Sequence, residues 1–274
     1  MPYCELTHKS ANCRRPIRFL LVRSTVAVLA AAALLQLGWL QHEAAGKPQE
    51  CVVLLHGLGR TAASMAVLDK ALTGAGFTVA NVGYPSRKHP IERLAPMAME
   101  LGIGECRGRS ANVIHFVTHS MGGILVRYYL ADHRLPELGR VLMLAPPNKG
   151  SALADELASL PGLRLLSGPA GLQLGTGKDS VPLKLGPARF ELGVIAGTRS
   201  INPILSAIIP ESDDGKVSVD NTRLEGMVDF LALPHTHTFM MRSSRVIRQT
   251  IHFLRNGGFD RTRASAELGR APAP

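Results

Sequence analysis

The sequence predicts an α/β fold, a mostly parallel sheet with helices on both faces. Three observations carry that expectation. Short, continuous apolar runs recur from Lys47 onward, the form of strands buried on both sides. Longer mixed segments with helical spacing alternate with them. Glycine and proline punctuate the junctions, giving the order β-α-β-α-β-α-β that belongs to a parallel sheet.

The elements follow in order. Residues 51–55, Cys-Val-Val-Leu-Leu, form the first strand, closed by Gly57 and Gly59. Residues 62–75 have helical spacing and stop at Gly76. The second strand is 77–82, ended by Gly83 and Pro85, and 91–101 is helical. Residues 112–117 form the third strand. The helix 122–131 after it carries Ile124, Leu125, Tyr128 and Tyr129 at core-facing spacing. The fourth strand, 141–144, runs into Pro146 and Pro147. Residues 194–196 and 227–233 are the fifth and sixth strands, and 239–254 is a closing helix. Sheets of this kind place their sites beyond the carboxyl ends of the strands.

Three segments stand outside that rhythm. Residues 1–46 form a basic flank and a hydrophobic helix, 151–190 a partly irregular, cap-like insertion, and 259–274 a polar, Pro/Ala-rich tail expected to be disordered. The body is then a single domain over 47–258. The insertion is rich in leucine and glycine, with a helix at 152–160 and little pattern after it.

Arg14, Arg15, Arg18 and Arg23 precede the apolar run 25–40, broken only by Gln36 and Gly38. A positive flank before such a run is the form of a secretory signal or an uncleaved membrane anchor, so the body is expected on the extracytoplasmic side. A cleavage site would fall near Ala44 and Ala45. The chain carries 31 Lys and Arg against 21 Asp and Glu. That excess contains no basic run interleaved with aromatics and no nucleic-acid module, so nucleic acid is not an expected partner. Cys4 and Cys13 fall in the flank. Cys51 and Cys106 are the two cysteines of the body. They lack metal-ligand spacing, and a disulfide between them is compatible with their positions near two strands.

The residues that carry chemistry sit at strand ends. Val117-Thr118-His119-Ser120-Met121-Gly122-Gly123 lies between a strand and a helix. That is the setting of a nucleophile elbow, where a sharp turn lifts the serine hydroxyl above the sheet. Gly122 supplies the small residue needed two positions after Ser120, whereas Thr118 stands where glycine is commoner. His56-Gly57-Leu58-Gly59 ends the first strand and can offer the Leu58 amide to an oxyanion, with the Met121 amide as the second donor. A serine nucleophile needs a base and the base a carboxylate. Asp214, just before Gly215, is the preferred acid, with Asp213 as the alternative. Pro234-His235-Thr236-His237 precedes the last helix, and His237 is preferred to His235 as the base. His235 and His237 without a third ligand make a poor metal site. The side chain of His119 is expected to point away from the hydroxyl, and Arg127 and Arg134 to lie on a helix face.

Taken together, these residues resemble the α/β-hydrolase superfamily and its bacterial lipase/esterase-like branch, from about residue 50 to residue 254. The resemblance rests on the stretches 54–60, 116–123, 145–151 and 214–219 and on His237, in the chain order Ser, Asp, His. It implies a serine carboxylester hydrolase acting on acyl-ester or lipid substrates, with Ser120, Asp214 and His237 as triad and no metal or organic cofactor. The insertion would cap the site. A membrane-associated acyltransferase with the same triad is the alternative implied.

Overall fold

The computed structural model describes residues 49–200 and 212–262. Its sheet has six parallel strands: β1 (Glu50–Leu55), β2 (Thr78–Val82), β3 (Val113–His119), β4 (Leu138–Leu144), β5 (Leu192–Gly197) and β6 (Asp229–Leu233). They lie in the order β2-β1-β3-β4-β5-β6. The helices are α1 (Ala66–Gly74), α2 (Ile91–Gly108), α3 (Met121–Asp132), α4 (Ala152–Ser159), α5 (Pro161–Leu172), α6 (Val181–Lys184), α7 (Val219–Thr222) and α8 (Ser244–Asn256).

Strand β1 shows why the runs are apolar without alternation. Val52 and Leu54 join one core with Leu68 and Leu72 of α1 and Phe253 and Leu254 of α8. Cys51, Val53 and Leu55 join a second core with Leu94 and Ala98 of α2 and Ile124 and Leu125 of α3. Successive side chains point to opposite faces, and here both faces are covered. β4 starts three residues earlier than expected, beside an irregularity in its register with β3 between Ile114 and Phe116.

Several expected boundaries move for local reasons. The segment 62–75 divides into a 3₁₀ turn, Ala62–Met65, and α1. The helix expected over 91–101 continues to Gly108. Gly102 is not a stop but a packing residue: a Cβ there would stand 2.5 Å from Val53 Cγ1, so glycine lets α2 lie close on β1. The closing helix begins at Ser244, not 239, because Ser243 caps it by accepting the Val246 amide at 3.4 Å. A 3₁₀ turn, Met240–Arg242, occupies the preceding residues.

The insertion is more regular than its sequence suggests. Ser151 caps α4, accepting the Ala154 amide. α5 is broken where Gly168 adopts φ 65° just before Pro169, and α6 follows. Arg127, expected on a helix face, lies on α3 but is buried there and ties this region to the helix. It donates to the carbonyls of Asn148 (3.0 Å), Pro182 (2.9 Å) and Gly186 (2.8 Å). With no carboxylate among these partners, burial pulls its pKa down to about 10. Arg134, also expected on a helix face, lies two residues past the end of α3 and is exposed. The tail read as disordered from 259 opens with packed residues. Phe259 is buried with its ring 5.2 Å from that of Phe253, and Arg261 pairs with Asp229. Residues 263–274, the N-terminal segment and its anchor or signal lie outside the described residues. Among the described residues no helix is long and apolar enough to cross a membrane.

Cys51 and Cys106 form a disulfide with Cα atoms 5.7 Å apart, joining the start of β1 to the last turns of α2. Its partner position is thus a helix, not the threshold of the next strand. His56, His115 and His119 are buried beside the sheet, and burial lowers the pKa of each.

Two predictions follow from these groups. Replacing Cys51 and Cys106 by alanine opens a loop of 55 residues and should cost about 4 kcal/mol in urea denaturation; an unchanged midpoint would show that the bridge does not form. The histidines act in acid. Unfolded, each takes up a proton near pH ~6.5; folded, each resists it. Their contribution is therefore fully present above about 6.5 and is lost as the pH falls below it, by up to about 1.4 kcal/mol per pH unit for each ring. Equal stability at about pH 7.5 and about pH 5 would contradict neutral, buried rings.

Candidate active site

The strand order reverses beside β1. From β1 the chain moves out to β2, then returns to β3 on the other side. Such a switch point opens a crevice at the carboxyl ends of the two strands. The loop after β1 (residues 56–60) and the turn after β3 (Ser120) both emerge there.

Ser120 has φ 54° and ψ −124°, a conformation that costs a side chain on the order of 1–3 kcal/mol. Its neighbours enforce it. The Ser120 amide donates to the Leu144 carbonyl at 2.8 Å, and the Ser120 carbonyl accepts from Gly123 at 3.0 Å. Just beyond, α3 starts against the end of β1: a Cβ on Gly122 would lie 2.7 Å from the Leu55 carbonyl oxygen. Only glycine fits. Thr118, the departure from the usual pattern, is buried and accommodated by a second glycine. A Cβ on Gly123 would meet Thr118 Oγ1 at 3.2 Å and Met143 Sδ at 2.9 Å.

The hydroxyl of Ser120 lies 3.0 Å from His237 Nε2, and His237 Nδ1 lies 2.8 Å from Asp214 Oδ2. A carboxylate only accepts, so Nδ1 carries the hydrogen and the Nε2 lone pair faces the serine. The other oxygen, Asp214 Oδ1, accepts the amides of Lys216 (3.0 Å) and Val217 (2.9 Å). The His237 amide returns a bond to the Asp214 carbonyl at 2.9 Å. Both side chains are buried.

The alternatives are turned to other work. Asp213 accepts the Gly215 amide within its own turn. His235 bonds the hydroxyl of Ser243, the cap of α8, at 2.9 Å, and burial lowers its pKa. Among the described residues no three His, Cys, Asp or Glu side chains converge as metal ligands.

Two histidines brace the site. His119 points away from the hydroxyl and reaches the base's loop: its Nε2 donates to the His237 carbonyl at 2.9 Å, and the two rings lie 4.8 Å apart. Burial, then the neighbouring His237, holds its pKa well below the ordinary value. His56 stacks on Tyr84 with ring centroids 4.0 Å apart, and the Tyr84 hydroxyl donates to the His56 carbonyl. The Ser86 hydroxyl accepts the Gly59 amide at 3.0 Å. These contacts shape the loop bearing Leu58. The sequence reading missed Tyr84 and Ser86; neither has a local pattern that sets it apart from any residue after a strand. Met121, the other candidate donor, opens α3, where an amide has no acceptor within the helix.

A pocket of about 110 Å³ adjoins Ser120 and His237. Leu58, Leu153, Leu157, Leu174, Val217 and Pro147 line it, with Arg60 and Lys216 as its charged groups. Leu153 and Leu157 come from α4, so the insertion forms one wall of the site.

No family model matches the sequence, and no curated protein matches it. Solved structures do. Bacillus licheniformis lipase BlEst2 in its mature form is 18% identical with a TM-score of 0.61, the match covering 76% of this chain and 92% of that one. In its propeptide form only 51% of the lipase is covered. Aspergillus fumigatus lipase B is 15% identical with a TM-score of 0.58, over 82% of this chain and 58% of that one. The phospholipase PlaB from Legionella pneumophila is 19% identical with a TM-score of 0.52, over 64% of this chain and 45% of that one. The architecture this chain shares with them, a mostly parallel sheet flanked by helices, is the α/β-hydrolase fold.

Proposed function

We propose that the chain is a serine carboxylester hydrolase of the lipase or esterase kind, working through an acyl-enzyme. One observation carries the reading: a strained, pocket-facing serine is linked through His237 to a buried carboxylate in an unbroken chain of bonds at 3.0 and 2.8 Å.

In this reading His237 Nε2 takes the Ser120 proton as Oγ attacks the acyl carbonyl. The imidazolium that forms is stabilised by Asp214, whose second oxygen is already held by two amides. The oxyanion is received by the amides of Met121 and Leu58, each such donor being worth about 3–4 kcal/mol in the transition state. His237 then protonates the departing alcohol. Water, activated by the same ring, releases the acid. The names of the structural neighbours, two lipases and a phospholipase, support an ester or lipid substrate. The basic flank and apolar run before residue 46 support export or membrane anchoring. So does the disulfide, since such bonds persist in oxidising compartments.

Ser120→Ala should fold, lose fluorophosphonate labelling and lower turnover of short p-nitrophenyl esters by at least about 10⁴-fold. Asp214→Asn should retain labelling at a much reduced rate and lose about 10⁴-fold in kcat. Labelling of Ser120→Ala at the wild-type rate would remove this serine from the chemistry.

A further inference from the structure

Two cations share the pocket with the nucleophile. Arg60 closes the loop after β1, and Lys216 sits in the turn that holds Asp214. Both are half-buried, and both line the wall that contains Ser120 and His237. Neither side chain has a hydrogen bond or ion pair among the described residues. The carboxylate that Lys216 senses is Asp214, whose oxygens are committed to His237 and to two amides.

The two charges also sense each other. Burial, then the charge of Arg60, lowers the pKa of Lys216, and both cations act on His119 beside them. The fold brings like charges together from two separate loops, against their repulsion and with loss of solvent. Structural packing does not require this. The apolar side of the pocket, with Leu153, Leu157 and Leu174, already offers a surface for an acyl chain. A neutral ester has no use for two cations beside its scissile bond, whereas an anionic group there would neutralise both.

The geometry points to a subsite for an anion: the substrate is an ester whose alcohol carries a phosphate or carboxylate, held by Arg60 and Lys216 while the acyl chain lies along the insertion. This rests on the ester-hydrolase reading for its chemistry but not for its binding.

The test compares 1-butyrylglycerol with 1-butyrylglycerol 3-phosphate. Wild-type kcat/KM should favour the phosphate ester by about tenfold to hundredfold, the worth of one charge-assisted bond. Arg60→Gln and Lys216→Gln should each lower the ratio and together bring it near one, with unchanged circular dichroism and melting. Arg134→Gln, which removes an exposed charge outside the pocket, controls for general attraction and should keep the ratio. Calorimetry of glycerol 3-phosphate with Ser120→Ala reads binding without chemistry and should lose its signal in the Arg60→Gln/Lys216→Gln background. A wild-type ratio at or below one, a ratio that survives the double substitution, or a ratio lost in Arg134→Gln overturns the subsite. Hydrolysis of both esters at equal rates with no binding heat removes the subsite and leaves the hydrolase. Binding that depends on the two cations, with no hydrolysis and no fluorophosphonate labelling, does the reverse. Long-chain analogues in mixed micelles separate the sources: preference there assigns a lipid head group, and preference only in the soluble pair assigns a small ester.

Discussion

The start of α3 lies so close to the end of β1 that a methyl group at position 122 would stand within 2.7 Å of a backbone oxygen of Leu55. The rest of the site follows from that approach. A helix that begins there leaves no room for a gradual turn out of β3, so the reversal falls on one residue. Ser120 takes a positive φ and stands clear of the sheet. Its amide is bonded sideways to β4, which stops the strain from relaxing. The approach is possible because β1 and β3 are parallel neighbours on either side of the switch in strand order. Topology, one glycine and one strained serine are thus parts of a single constraint.

Around this fixed point the polar groups divide their valences without competition. Asp214 gives one oxygen to the ring of His237 and the other to the amides of its own turn, so the carboxylate cannot rotate away. His119 receives no role at the hydroxyl and instead holds the carbonyl of His237. The loop that bears Leu58 is braced by Tyr84 and Ser86, from the segment just after β2. Arg60 and Lys216, in the same pocket, carry full charges with no hydrogen bond or ion pair from their side chains among the described residues, and the proposed anion subsite rests on that.

Much of this was legible because it depends on local pattern. The inner strands β1, β3 and β5 read from apolar runs, since burial on both faces erases alternation, and the elbow read from one glycine after a serine. Asp214 and His237 were preferred to Asp213 and His235 by their place beside a turn and a helix start, and the structure brings those two to Ser120. What was not legible depends on contacts distant in sequence. The helix read over 91–101 runs on through Gly102, whose role is to admit Val53. The burial of Arg127 was not legible because its partners, at residues 148, 182 and 186, are backbone carbonyls, which no side-chain pattern records. Thr118 read as a departure from the elbow, when the space it needs is supplied by Gly123. Tyr84 acts through its hydroxyl on a loop 28 residues earlier, which no periodicity records.

The same division explains how a chain 18% identical to a bacterial lipase keeps its architecture over three quarters of its length. The constraints that make the site are few and backbone-directed: a glycine under a carbonyl, a serine bonded to the neighbouring strand, a carboxylate held by amides. Amides and carbonyls belong to every residue, so these contacts survive wholesale exchange of side chains. The cores ask only for apolar volume of about the right size on each face. Side chains that reach into the pocket carry no such backbone guarantee and are free to differ between proteins of the fold. Arg60 and Lys216, where we propose the anion subsite, are side chains of this kind.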